Sequence, residues 1–216
     1  MRKILLAICI WLVPATAPAG AWLRDKGTGF FSTSAYLIDP NSGGNHYAGI
    51  YMEYGVAARL TLGLDLGRGV SGNGKTIGFL KLPIGSLMGP HHIVLDLGFG
   101  EIAGNPTFRP GLSYGRGFSG RLGDGWVSLE TAIELNLRDK TSDYKADLTI
   151  GLNRDDRHKL MLQFQSGKAV GDPPFLRMVP SVTRSIGKDW LLELGVTQEV
   201  IGGNASGLKI SLWRYF

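Results

Sequence analysis

The chain has 216 residues, with 23 Lys+Arg against 18 Asp+Glu, 32 Gly, 10 Pro, one Cys and 10% aromatics. That composition excludes a disordered chain, a collagen and a cysteine-stapled miniprotein, and the lack of any apolar run of about 18 residues excludes a helical membrane protein. A glycine-rich, strand-rich chain remains.

Met1-Arg2-Lys3 is a short basic start, Ile4 to Val13 is apolar, and Pro14 to Ala21 is a run of small residues containing Ala17-Pro18-Ala19 and Ala19-Gly20-Ala21. This is the three-part pattern of a secretory leader, whose apolar stretch of about ten residues is too short to stay in a bilayer as a helix. The expected boundaries are a signal peptide over 1–21 and one domain over 22–216. Cleavage removes Arg2 and Lys3, so part of the +5 formal charge leaves with the leader and the mild remaining basicity gives no case for a nucleic-acid partner. Cys9 also lies in the leader, after Ile8 rather than the small residue a lipidation signal needs. A mature chain without thiols has no disulfide, no thiolate metal site and no cysteine nucleophile.

From there the sequence alternates with period two. Segments near 29–38 and 46–56 read as strands, and Leu60-Leu62-Leu64-Leu66 then alternates against Thr61-Gly63-Asp65-Gly67. After a segment near 76–85, Ile93-Leu95-Leu97-Phe99 opposes Val94-Asp96-Gly98-Gly100, followed by a weaker segment near 107–118. From Trp126, Val127, Leu129, Thr131, Ile133, Leu135 and Leu137 take one face while Ser128, Glu130, Ala132, Glu134, Asn136 and Arg138 take the other. Ala146-Leu148-Ile150-Leu152 repeats the pattern, as do Leu192-Leu194-Val196 and Leu208-Ile210-Leu212, with further strands near 158–168 and 175–186. No helix spaces residues this way. The connections are rich in Gly, Asn, Asp and Pro, among them Ser71-Gly72-Asn73-Gly74, Gly104-Asn105-Pro106 and Gly171-Asp172-Pro173-Pro174. About twelve strands of roughly ten residues are expected, an all-β antiparallel up-and-down barrel.

Alternation does not say whether the apolar face meets lipid or a soluble core. The polar face carries Glu53, Asp65, Asp96, Glu130, Glu134, Asp147 and Glu193 together with Lys81, Arg109, Lys145, Arg177 and Lys209, roughly one charge per strand and of both signs. Strands of about ten residues fit a tilted crossing of the hydrocarbon layer, an even count puts both termini on one side, and soluble sandwich strands usually run five or six residues. These residues are therefore candidates to line a polar lumen, and glycines at inward positions such as Gly63, Gly67, Gly98, Gly100 and Gly151 would relieve crowding there. Aromatics near strand ends, including Phe30, Phe31, Tyr54, Trp126, Tyr144, Phe175, Trp190, Tyr215 and Phe216, are candidates for interfacial girdles, whereas Tyr51 and Trp213 fall on the polar face.

The chain ends in Leu208-Lys209-Ile210-Ser211-Leu212-Trp213-Arg214-Tyr215-Phe216. With the leader and the dyad repeat, this ending resembles bacterial outer-membrane β-barrels, which commonly finish in a strand with a terminal Phe and apolar residues at every second place before it. Leu208, Ile210, Leu212 and Phe216 match, and Arg214 departs from the usual apolar residue. The stretch Glu53 to Asp65 resembles the strand, tight turn and strand of small transporter-like barrels. The resemblance implies a transmembrane barrel in the outer membrane of a Gram-negative bacterium, with membrane lipid and the barrel-assembly machinery as partners and no cofactor. Its implied function is a passive, porin-like channel for small polar solutes. The alternatives are a non-transporting structural or lipid-modifying barrel, and a secreted soluble barrel binding an apolar ligand.

Two nucleotide motifs occur by accident. Gly69-Val70-Ser71-Gly72-Asn73-Gly74-Lys75-Thr76 fits the phosphate-loop pattern, but the next nine residues hold two Gly and a Pro where a phosphate-binding helix must start. Gly115-Arg116-Gly117-Phe118-Ser119-Gly120 likewise has no helix after it. His46, His91, His92 and His158 are read as turn residues, His46 at one end of the barrel and the others at the opposite end. Asp155-Asp156 is flanked by Arg154, Arg157 and His158, which oppose calcium. No catalytic residue and no metal ligand is expected.

Overall fold

The computed structural model describes residues 20–69, 74–85, 89–121, 123–155 and 157–216. Residues 1–19 of the expected leader, the phosphate-loop-like residues 70–73 and Asp156 lie outside them. Twelve strands follow in order: β1 (Gly29–Ile38), β2 (Tyr47–Ala57), β3 (Leu60–Gly69), β4 (Gly74–Pro83), β5 (His91–Ile102), β6 (Asn105–Gly120), β7 (Gly123–Asn136), β8 (Thr141–Asn153), β9 (His158–Lys168), β10 (Phe175–Ser185), β11 (Trp190–Ile201) and β12 (Ser206–Tyr215). Each strand pairs antiparallel with its neighbours in sequence, and β1 pairs with β12 to close the barrel. The seam extends past the strand ends, because Gly29 and Phe216 exchange backbone hydrogen bonds of 2.6 and 3.1 Å. Closure leaves no unpaired edge, the condition a sheet must meet in a medium that cannot hydrogen-bond it.

The hairpins are short. Ala103 and Gly104 both have positive φ, 50° and 79°, and join β5 to β6 as a two-residue turn of the type I′ class. This corrects the expected connection Gly104-Asn105-Pro106: Asn105 and Pro106 already pair with Ile102 and Glu101. Pro106 is tolerated because its missing N–H falls at the first turn of a ladder. Further along β6 the pairing with β7 skips Arg109 and Pro110 and resumes in the same register at Gly111, opposite Ala132.

The pleat sorts side chains into two environments. Leu62, Phe99, Leu112, Leu129, Leu160, Leu194 and Leu208 lie on the exterior, with Phe99 62% and Leu194 52% exposed. They belong to an apolar band around the barrel, far beyond the few hundred Å² of contiguous apolar surface that a soluble monomer shows. Ten residues at about 3.3 Å rise, tilted by about 40°, span roughly 25 Å, the height of a lipid-facing apolar belt. No helix among the described residues is long and apolar enough to cross a membrane. The apolar face therefore points outward, and a soluble barrel holding an apolar ligand does not fit this arrangement.

Four of the proposed girdle aromatics turn the other way, one of them Phe175, which shares the face of Arg177 on β10 and packs over Gly167. Phe30 and Trp126 are buried inside, with Met161 and Trp213, and Tyr215 packs on that cluster. Pleat parity decides this: Trp126 stands four residues from Glu130 on the same strand, and Phe30 lies directly opposite Glu53. Tyr51 and Trp213 are in or against the same interior cluster, as their place on the polar face predicts. Large inward rings need glycine beside them. A Cβ at Gly151 would collide with the Trp126 indole, and one at Gly63 with the Phe79 ring.

Candidate functional site

All twelve charged residues singled out from the sequence share the inward face. The registers fix this: Glu53 lies opposite Gly63, Asp65 opposite Ile77, Lys81 opposite Asp96, Glu130 opposite Asp147, Arg177 opposite Gln165 and Lys209 opposite Gly195. A cavity of about 370 Å³ occupies the middle and the end of the barrel away from the termini. Of the twelve, Asp65, Asp96, Arg109, Glu130, Glu134, Lys145, Asp147, Glu193 and Lys209 line it, with Lys75, Tyr36, Tyr47, Gln163 and Gln165. Its floor is formed by Phe30 and Trp213.

Most of the charges are paired along or across the wall. Asp65 Oδ2 accepts from Lys75 Nζ at 2.8 Å and from Arg109 Nη1 at 2.6 Å, the latter reaching from β6 to β3. Glu134 pairs with Lys145 at 2.8 Å, and Glu193 with Lys209 at 2.8 Å. Lys209 Nζ also donates to Gln163 across from β12 to β9, and Gln165 donates to the Tyr36 hydroxyl. Arg109 is committed to Asp65, and the Arg177 guanidinium lies 5.8 Å over the Phe175 ring. Asp96, Glu130 and Asp147 carry no ion pair among the described residues.

Glu53 and Lys81 sit elsewhere, in a region the sequence did not flag. Residues 20–24 run inside the terminal end of the barrel and dock on its wall, and the exposed residues 25–28 lead from there into β1. Arg24 Nε donates to Glu53 Oε2 at 2.6 Å, and Lys81 Nζ donates to Glu53 Oε1 at 2.7 Å, to the Tyr51 hydroxyl at 3.0 Å and to the Gly20 carbonyl at 2.9 Å. The Arg24 backbone N–H donates to Thr61 Oγ1, its guanidinium covers the Phe30 ring at 4.8 Å, and Gly27 N–H donates to the Gly55 carbonyl. Trp22 fills the space left by the absent side chain of Gly115 and tilts against His92, with ring centroids 5.5 Å apart. Glu53 is 0% and Lys81 1% exposed, so this cluster is a structural lock rather than pore lining. Residues 20–28 do not alternate, so sequence periodicity does not mark the segment. The signal available was Arg24, a cation that lies next to the strands but belongs to none of them.

The histidines are held at the ends. His46 Nδ1 accepts from Ile38 N–H beside the start of β2, His91 Nδ1 lies 2.7 Å from the Tyr114 hydroxyl, and His158 Nδ1 lies 3.0 Å from Asp155. In the β8–β9 turn, backbone N–H groups of Arg157 and His158 donate to Asp155 Oδ1 at 2.8 Å, so the carboxylate organises the turn. Those hydrogen bonds, the one from Arg157 foremost, hold its pKa below the ordinary Asp value. Leu208, Ile210 and Leu212, which resemble an assembly signal in sequence, face outward on β12. Arg214, the departure from the pattern, also faces outward and lies 5.2 Å over the Trp190 ring, so its aliphatic stem covers apolar surface near the barrel end.

No protein-family model matches the chain, and no curated protein sequence matches it. Solved structures do. The KdgM porin aligns over 87% of this chain and 99% of its own at a TM-score of 0.64, with 10% sequence identity. The chain shares that structure's closed-barrel fold. The NanC porin matches the same barrel at a TM-score of 0.64, over 85% of this chain and 98% of its own, with 5% identity. A second KdgM structure, described as a complex with disordered oligogalacturonate, matches at 11% identity and a TM-score of 0.64 over 87% and 99% of the two chains. At these identities the shared property is the closed barrel and not the individual side chains inside it.

Proposed function

We propose that the chain is an integral outer-membrane barrel that acts as a passive, porin-like channel for small polar solutes, with both termini on the periplasmic side. The observation that carries the reading is the combination of an apolar exterior with a polar interior cavity of about 370 Å³. That is the inverse of a soluble ligand carrier and the arrangement of an aqueous pore in lipid. In the cavity, Asp65, Asp96, Glu130, Glu134, Asp147 and Glu193 outnumber Lys75, Arg109, Lys145 and Lys209, which favours cationic or neutral solutes over anions. The described oligogalacturonate complex of KdgM supports a polar solute without naming the one used here.

The N-terminal segment and the aromatic cluster narrow the terminal end, so the channel rests in a low-conductance state. No catalytic role is proposed. Membrane lipid contacts the apolar belt, and Leu208, Ile210, Leu212 and Phe216 serve as the signal read by the assembly machinery. Planar-bilayer recordings test the channel. Folded protein is expected to give small steps with a reversal potential favouring cations, and variants with a displaced N-terminal segment are expected to give larger ones. Silence from both would remove the channel and leave the non-transporting barrel.

A further inference from the structure

The lumen holds an unbalanced charge. Glu130 and Asp147 lie directly opposite one another on β7 and β8, and Asp96 Oδ1 is buried with no hydrogen-bond partner. Carboxylates placed face to face repel, and the nearby ammonium of Lys81 is already committed to Glu53, Tyr51 and the Gly20 carbonyl. The segment that reaches this spot is the one at the leader boundary. A Cβ built on Gly20 would stand 3.0 Å from Glu130 Oε1 and 3.2 Å from the Ser128 side chain. By bond lengths alone this puts the Gly20 nitrogen within about 5–6 Å of that carboxylate.

We infer that signal cleavage falls between Ala19 and Gly20, and that the new α-ammonium of Gly20 is the counter-ion of Glu130. In the reaction, water adds across the Ala19–Gly20 peptide bond in the site of a leader peptidase. The leader departs with a carboxylate at Ala19, and the mature chain keeps an ammonium at Gly20. Ala17-Pro18-Ala19 supplies the small residues on either side of one position that such a peptidase reads. Cleavage after Ala21 would remove the Gly20 carbonyl that Lys81 donates to, and with it the Ala21 methyl that packs over Gly115. Gly20 and Ala21 are thus fitted parts of the lumen and not leader residues. Processing thereby adds a second ionic contact to the segment that Arg24 already holds on Glu53.

The test uses full-length precursor expressed with its leader and extracted from the membrane as folded protein. Intact mass and N-terminal sequencing are expected to show a chain starting at Gly20. Treatment with a carbodiimide, which condenses a carboxylate with an adjacent amine and expels water, is expected to join Gly20 to Glu130 in a single linked peptide. Glu130→Gln is expected to lose that link while keeping the same N-terminus. A chain starting at Trp22, or one starting at Gly20 whose amine does not couple to Glu130 in the unaltered protein, overturns the inference. Neither readout depends on conductance, so failure of the channel reading leaves this result standing, and the reverse.

Discussion

Replacing Glu53 by Gln keeps the size and one acceptor oxygen of the side chain but removes a negative charge from between two cations. Glu53 is fully buried, Lys81 is 1% and Arg24 7% exposed, and the carboxylate accepts from Arg24, Lys81 and Tyr51 at 2.6–2.7 Å. Removing one partner of a buried ion pair costs about 3–5 kcal/mol, because the other is left charged and unpaired. Here Lys81 is fixed on β4, whereas Arg24 belongs to a segment tethered only by its own contacts. The cheapest relaxation is for residues 20–24 to leave the lumen. With about 1.4 kcal/mol per factor of ten, a loss near the lower limit raises the undocked population by about a hundredfold. Trypsin reports it, since cutting after Arg24 requires an undocked segment. Folded barrel, verified by heat-modifiable gel mobility, is expected to lose its N-terminal residues about a hundred times faster in Glu53→Gln, with larger conductance steps. Equal cutting rates in the two proteins would refute the reasoning, and would mean that the aromatic contacts of Trp22 hold the segment without the charges.

Other expected outcomes follow from the same geometry. Gly151→Ala drives a methyl into the Trp126 indole and should lower stability by about 1–3 kcal/mol in urea titrations of the lipid-reconstituted barrel. Leu194→Arg puts a charge on the lipid face in mid-strand and should cost about 2–4 kcal/mol in the same titration. The inward Thr197→Ser on the same strand should change little. Because Asp155 has a folded pKa below its ordinary value, its help to the β8–β9 turn is present at neutral pH and fades as the pH falls through that lowered pKa. The amide resonances of Arg157 and His158 should move together over that acid range and stay fixed in Asp155→Asn. Removing Phe216 abolishes its paired hydrogen bonds with Gly29, and pulse-chase assembly should slow markedly compared with the intact chain.

The sequence by itself determined the barrel. A period of two assigns each strand residue to a face, and once six strands carry leucines on one side and charges on the other, a closed all-antiparallel sheet is the arrangement that leaves no edge unpaired. The same parity placed twelve charged residues inside, because a pleat has only two sides. Parity also turns Trp126, Phe30, Phe175 and Tyr215 inward, although each lies near a strand end where a girdle residue is expected. What only the tertiary structure decided is which inward charges meet. Asp65 finds Arg109 from three strands away, Lys209 finds Gln163, and Arg24 finds Glu53, contacts set by barrel curvature and by a non-repeating segment folded back through the lumen. Periodicity records the direction of a side chain along its own strand and nothing about what stands across the interior. The plug, the paired walls and the unmatched acids beside Gly20 were therefore beyond its reach.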